Sequence, residues 1–153
     1  MPITKQLELI LVLMNGFKHN VPVQLRFKDV DKMGHVNNAN YLTYAELARI
    51  KYFEEVVGHD AKWSHQLGII LARTEVDYKL PVFLRDQISV YTRCSRLGNK
   101  SLDLTWIIVR HKGDQEEVVA QGLAVLVCYD YTQNKTIEIP ELQRNRLKEY
   151  EGM

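Results

Sequence analysis

The sequence contains one long helical pattern, whereas most other patterned segments alternate between apolar and polar residues as strands do. The helix is predicted to begin near Asn37 or Asn38, either of which can cap its free N–H groups, and to end before Gly58. At about 1.5 Å per residue, a helix of about twenty residues is roughly 30 Å long, enough to cross a small sheet. On its outer surface Lys51 and Glu55 are spaced for an ion pair. Its inner face is predicted to be an apolar stripe formed by Tyr41, Ala45, Ala48, Tyr52 and Val56.

Strand patterns lie on both sides of this helix. Before it, Val23, Leu25 and Phe27 alternate with polar residues, which predicts a half-buried strand from Val21 that runs into Asp29. After it come four strand patterns and a short charged helix, covering residues 70–80, 88–96, 102–110, 118–129 and 141–150. We predict an α+β fold in which these four strands form a meander and a highly curved antiparallel sheet wraps around the one long helix.

The composition fits a single globular domain over residues 1–153. With 46% hydrophobic residues, the chain has enough apolar material for one core. Residues 1–20 form an extension, in which the apolar run Leu7–Met14 is either a packed strand or a short helix. That run is too short to span a bilayer, and its internal charge and the lack of a small-residue cleavage site argue against export.

Charge and cysteine content exclude several classes of function. A formal net charge of +1 provides no large basic surface for nucleic acid or for an anionic membrane. Cys94 and Cys128 lie inside predicted strands, as small buried residues in a reducing compartment do, so we expect a cytoplasmic protein. The cysteines have no obvious histidine partner for nucleophilic chemistry. The five histidines show no metal-ligand spacing, so no metal site is predicted.

The polar segment at the start of the helix is the candidate site. It reads DVDKMGHVNNANY from Asp29 to Tyr41. A carboxylate here can lie beside the helix N-terminus, where free N–H groups and the positive end of the helix dipole suit acyl chemistry. The plain alternative is a polar loop with asparagine caps. A calcium loop of the EF-hand type is excluded, because Met33 and Asn40 stand where an oxygen ligand and the bidentate glutamate belong.

This motif, the following ELAR at Glu46–Arg49 and the order of elements resemble the hotdog-fold acyl-CoA thioesterases of the 4-hydroxybenzoyl-CoA thioesterase type. The similarity covers about residues 21–131. The resemblance implies a hotdog fold, an acyl-CoA substrate and no cofactor apart from the CoA that belongs to the substrate. It also implies a homodimer or homotetramer with active sites between protomers, and the unpaired edges of a single curved sheet would favour such pairing.

The resemblance implies roles for individual residues of the motif. Asp31 would be the catalytic carboxylate, acting as nucleophile or as general base for water, and the backbone N–H at about Asn38 would polarise the thioester carbonyl. His35 matches a histidine in the similar motif of plant acyl-ACP thioesterases, although Met33 stands where those enzymes carry an asparagine. For Asp29 we expect a structural role, because hydrogen bonding at the strand end accounts for it.

A second match lies in a predicted hairpin turn. Lys100 and Ser101 correspond to a Lys-Ser pair before a central strand, where the lysine of the bacterial enzyme contacts phosphate groups of CoA. Gly98 and Asn99 replace the arginines of that turn.

Two hypotheses follow. The first is a hydrolase of acyl-CoA or acyl carrier protein thioesters, since a carboxylate and a preorganised N–H supply both the attacking oxygen and oxyanion stabilisation. The second is a non-catalytic hotdog protein that binds or scaffolds acyl thioesters, which the absence of a polar group at Met33 favours.

Overall fold

The computed structural model of the protein describes residue 11, residues 14–58 and residues 66–153. Helix α1 spans Asn38–Tyr52 and continues into a π-helical turn, Phe53–Val57, and helix α2 spans Glu141–Glu151. The strands are β1 His19–Val23, β2 Leu67–Tyr78, β3 Gln87–Leu97, β4 Ser101–Lys112, β5 Gln115–Asp130 and β6 Lys135–Thr136. Most of the predicted extension, including nearly all of Leu7–Met14, lies outside the described residues.

Helix α1 begins and ends where the sequence predicts. The side chain of Asn37 caps it by accepting a 3.0 Å hydrogen bond from the N–H of Ala39. It ends at Gly58, whose φ of +77° suits glycine. The predicted inner stripe is confirmed, because all five of its residues are buried: Tyr41, Ala45, Ala48, Tyr52 and Val56.

The predicted ion pair on the outer surface of α1 is wrong. Lys51 contacts Glu54 at 2.8 Å, three residues away, whereas Glu55 pairs with His19 of β1 at 2.9 Å. Spacings of three and four residues both bring side chains together on a helix. Tertiary contact with β1 decides which of them forms.

The strands form one curved antiparallel sheet in the order β1-β3-β4-β5-β2, with β6 paired to the end of β5. The hotdog architecture is therefore confirmed, but the four-strand meander is not. Of the four predicted strands, β2 to β5, only β3, β4 and β5 are consecutive neighbours, whereas β2 crosses to the far edge and pairs along β5. Strand periodicity identifies an amphipathic segment without naming its neighbour, and so the crossover was missed.

The strand before α1 is shorter than predicted. β1 ends at Val23, and residues 27–29 form a 3-10 turn in which Phe27 is 86% exposed. The Asp29 carboxylate accepts a 3.0 Å hydrogen bond from the backbone N–H of Arg26. Such side-chain to backbone bonds compete with the sheet ladder, and here they bend the chain away from it.

One glycine allows the sheet to curl tightly against its own core. A Cβ on Gly122 of β5 would collide with the Trp106 ring on β4 and with the backbone oxygen of Glu75 on β2. The bare backbone lets the indole lie over the strand. Trp106 thereby fills the space between the sheet and α1, where it is buried.

Candidate active site

Asp31 lies at the tip of a tight hairpin that leads into α1. Val30 and Val36 pair across this hairpin. The N–H of Asp31 donates to the carbonyl of His35 at 2.8 Å, and the N–H of Gly34 donates back to the carbonyl of Asp31 at 3.0 Å. Gly34 has a φ of +80°, which a residue with a side chain rarely adopts. The motif therefore encodes a compact turn of defined shape.

The Asp31 carboxylate is held by one oxygen only. Its Oδ1 accepts the backbone N–H of Met33 at 2.8 Å and that of His35 at 3.3 Å. Oδ2 accepts no hydrogen bond from the described part of the chain, and the residue is exposed. One oxygen thus orients the carboxylate, while the other remains available to water or to a substrate.

Asp29 has the structural role that we expected. It is 1% exposed and binds the guanidinium of Arg26 through two nitrogens, and it accepts the Tyr44 hydroxyl at 2.8 Å. Burial raises the pKa of Asp29, but the hydrogen bonds from Arg26 and Tyr44 outweigh it and bring the pKa below its usual value. The two aspartates of the motif therefore face different environments.

The backbone of Asp29 fixes the hairpin to the first turn of α1. Its carbonyl accepts the N–H of Asn37 at 2.8 Å and the side-chain amide of Asn40 at 3.0 Å. Asn38 is the first residue of the helix, and its N–H has no acceptor among residues 14–58 and 66–153. The site thus combines an anchored hairpin with a free N–H at the positive end of a helix dipole.

His35 contributes its backbone to the hairpin. Its ring is half-buried and stands edge-on to Phe83 with the centroids 5.1 Å apart. Within the described residues, no hydrogen bond to either ring nitrogen is found.

Lys100 and Ser101 are distant from Asp31 in the same protomer. The hairpin pairs with Phe83 through His35, just before β3 begins, whereas Lys100 follows the end of β3. The eleven residues of β3 span roughly 35 Å. Lys100 is exposed, and the hydroxyl of Ser101 accepts a 3.0 Å hydrogen bond from Arg96. The predicted CoA contact and the predicted carboxylate therefore lie at opposite ends of the sheet.

Two cavities border α1 and share Arg49 and Leu71. One, of about 160 Å³, lies between the helix and the sheet; the other, of about 270 Å³, continues towards the C-terminal end of the helix. Glu46 binds Arg49 at 3.1 Å, and burial lowers the pKa of Arg49. Ala45 and Ala124 line the first cavity, and their small side chains leave it unfilled. The sequence reading missed both cavities, because facing positions on separate elements create them.

The described residues offer little for alternative chemistry. Cys94 and Cys128 are free and fully buried, and burial raises their pKa values to about 12 and about 11, as expected of inert thiols. No group of three or more potential metal ligands occurs within the described ranges. None of the helices described is long and apolar enough to cross a membrane.

Comparison with known proteins identifies the family. The profile of the thioesterase-like superfamily matches residues 25–147. The long-chain acyl-CoA thioesterase FadM of Escherichia coli K12 is 27% identical over 127 residues, which are 83% of this chain and 95% of that protein. The acyl-CoA thioester hydrolase YbgC of Escherichia coli O157:H7 is 23% identical over 84% of this chain and 94% of that protein.

A solved structure extends the likeness. A thioesterase of Thermus thermophilus, complexed with coenzyme A and Zn, is 38% identical and superposes with a TM-score of 0.78. The match covers 92% of this chain and 98% of that one. The curved sheet around α1, the hairpin at its N-terminus and these matches lead to one conclusion: the chain belongs to the thioesterase-like superfamily.

Proposed function

We propose that the protein hydrolyses acyl-CoA thioesters, with Asp31 as the catalytic carboxylate. The observation that carries the proposal is the arrangement of the Asp31 carboxylate. Its Oδ1 is fixed by two backbone N–H groups, while Oδ2 accepts no hydrogen bond from the described residues. The names of FadM and YbgC support an acyl-CoA substrate, and the Thermus thermophilus thioesterase was solved with coenzyme A.

In this mechanism Asp31 either removes a proton from the attacking water or attacks the thioester carbon itself. The carbonyl oxygen accepts a hydrogen bond from the N–H of Asn38, and the helix dipole stabilises the negative charge that develops there. Breaking the C–S bond releases the CoA thiolate. If Asp31 acts as a base, the water oxygen adds to the carbonyl carbon and the acyl group leaves as a carboxylic acid. If Asp31 attacks the carbon itself, a mixed anhydride forms, and water then hydrolyses it to the acid. We propose that the ring of His35, which binds no described polar group, carries the proton taken from water to the thiolate.

We also propose that the active enzyme is a homodimer or homotetramer in the cytoplasm. β2 is an edge strand of twelve residues on which Ile70, Leu71 and Tyr78 are exposed, and such an edge favours pairing with a second copy. Lys100 lies too far from Asp31 in one protomer to bind the same CoA readily, so a lysine from another protomer suits the role better. The free, buried cysteines support a reducing compartment.

Asp31→Asn tests the central claim. The variant keeps an oxygen acceptor for the hairpin N–H groups but removes the charge and the base. We expect kcat for acyl-CoA hydrolysis to fall by at least about a hundredfold with little change in KM. Release of free thiol from a panel of acyl-CoAs, monitored with a thiol reagent, measures this.

Asp130→Asn is the matched control. Asp130 Oδ1 also accepts two backbone N–H groups, those of Thr132 and Gln133, but it lies outside the site. The Asp130→Asn variant should hydrolyse acyl-CoA like the wild type. If Asp31→Asn keeps near-wild-type turnover in a folded protein, Asp31 is not the catalytic group. If the wild type releases no thiol but binds acyl-CoA, the non-catalytic binding hypothesis holds.

Lys100→Ala tests nucleotide recognition. Because exposed ion pairs contribute roughly 1 kcal/mol at most, KM for acyl-CoA should rise about fivefold, with no change for acyl-pantetheine, which lacks the nucleotide. Light scattering on the same preparation gives the oligomeric state. Equal effects on both substrates would show that Lys100 does not contact the nucleotide, and a monodisperse monomer would contradict the shared site.

A further inference from the structure

The 160 Å³ cavity beneath α1 has an exposed mouth and a buried inner end. Thr43 and Glu46 on the helix and Thr74 on β2 are exposed and form the mouth. Its inner end is lined by buried residues of three neighbouring strands, Thr92, Leu104, Trp106 and Ala124. An apolar cavity of about 150 Å³ is known to accept a molecule the size of benzene, so this one can hold roughly six carbon atoms.

Thr92 breaks the apolar character of the inner end. Along β3, Thr92 lies on the same buried face as Val90 and Cys94, and this face points towards α1. It is 1% exposed, yet its hydroxyl has no hydrogen-bond partner within the described residues. Buried polar groups are normally paired, and an unpaired one costs stability, so such a group calls for an explanation.

We propose that this cavity binds the acyl group of the substrate, and that Thr92 selects an acyl group that carries an oxygen substituent. The inference rests on the proposed thioesterase function and specifies its substrate class. A hydroxyl or a ketone oxygen can accept a hydrogen bond from Thr92, whereas a plain alkyl chain leaves the Thr92 hydroxyl unpaired.

The distance to the proposed catalytic group is compatible with one substrate. Ala45 lines the cavity and lies seven residues beyond Asn38, which is about 10 Å along the helix axis. A thioester carbonyl at the N-terminus of α1 would therefore leave a medium-length acyl chain to enter the cavity. The oxygen substituent of the acyl chain would lie several carbons from the thioester carbonyl.

Hydrolysis of matched substrates tests the selection. The panel contains octanoyl-CoA, its hydroxylated positional isomers and the corresponding ketones. We expect at least one hydroxy isomer or ketone to exceed octanoyl-CoA by about tenfold in kcat/KM, because a substrate without a bonding oxygen leaves the buried Thr92 hydroxyl unpaired. Thr92→Val should remove most of the preference, and Thr92→Ser should retain it.

Thr105→Val is the matched control, since the Thr105 hydroxyl is already bonded to Ser95 at 2.7 Å on the other face of the sheet. It should keep the wild-type preference. Thermal unfolding without ligand adds a second readout: Thr92→Val should be at least as stable as the wild type, whereas a hydroxyl that serves only the fold would make it less stable. No preference in the wild type, or equal preference in Thr92→Val, overturns the proposal.

Binding distinguishes this proposal from the hydrolase proposal. S-octyl-CoA and its hydroxylated thioethers lack the carbonyl and cannot be hydrolysed, so calorimetry reports binding without hydrolysis, and the difference between the two ligands reports the cavity. Preferential binding of a hydroxy thioether that Thr92→Val abolishes supports the selection even if no acyl-CoA is hydrolysed. Equal affinities for plain and hydroxylated thioethers in both proteins overturn it, even if hydrolysis is observed.

Discussion

The two ends of α1 are built in opposite ways. At its N-terminus the Asp31 carboxylate keeps one oxygen without a described partner, the Asn38 N–H has no described acceptor, and Met33 is 77% exposed. At its C-terminus Glu151 of α2 accepts both the Tyr52 hydroxyl at 2.6 Å and the Cys94 N–H at 2.8 Å. One end leaves polar groups available, whereas the other pairs them.

Helix α2 is responsible for the closed end. Besides Glu151, it supplies Arg146, which donates to the carbonyl of Val57 in the last turn of α1. A cation at this position also complements the negative end of the helix dipole. At the C-terminal end of α1, hydrogen bonds to polar groups stabilise the fold. At the N-terminal end, where we propose catalysis, polar groups are left without described partners.

The largest expected effect on stability comes from the buried anchor of the open end. Asp29→Ala leaves the Tyr44 hydroxyl and the Arg26 guanidinium without their acceptor, so the free energy of unfolding should fall by about 3 kcal/mol. Urea unfolding followed by tryptophan fluorescence measures this. Asp31→Asn, an exposed change two residues away, should cost less than about 0.5 kcal/mol. Equal losses in both variants would contradict the division between an anchoring and a reactive aspartate.

Glu151→Ala should weaken the closed end without affecting catalysis. The Tyr52 hydroxyl and the Cys94 N–H lose their shared acceptor, and we expect the free energy of unfolding to fall by about 2 kcal/mol. Turnover per folded enzyme should stay within about twofold of the wild type, because additivity and independence hold for distant sites. A large loss of kcat in a folded variant would show that the two ends are coupled.

A smaller effect should appear as a pH dependence. The pKa of Asp29 is lower in the folded protein than its usual 3.8, so its stabilising contribution is fully present above about pH 4 and is lost as the pH falls through the folded-state pKa. The difference in unfolding free energy between wild type and Asp29→Asn should therefore shrink below about pH 4. A difference that is constant from about pH 6 down to about pH 2.5 would contradict this assignment.

The sequence by itself determined the elements and the location of the candidate site. Apolar spacing identified α1 and its inner stripe, alternation located the four strands after it, and a charged segment marked α2. These features are local, because the period of a helix or a strand is carried by residues that are close in the chain. The motif before α1 likewise predicted a capped helix, which Asn37 provides.

Only the tertiary structure decided how these parts meet. It placed β2 at the far edge of the sheet, exposed Phe27, separated buried Asp29 from exposed Asp31, and paired Glu55 with His19. It also placed the unpaired hydroxyl of Thr92 against a cavity. Residues far apart in sequence make each of these contacts, and local periodicity carries no information about which distant segment becomes the neighbour.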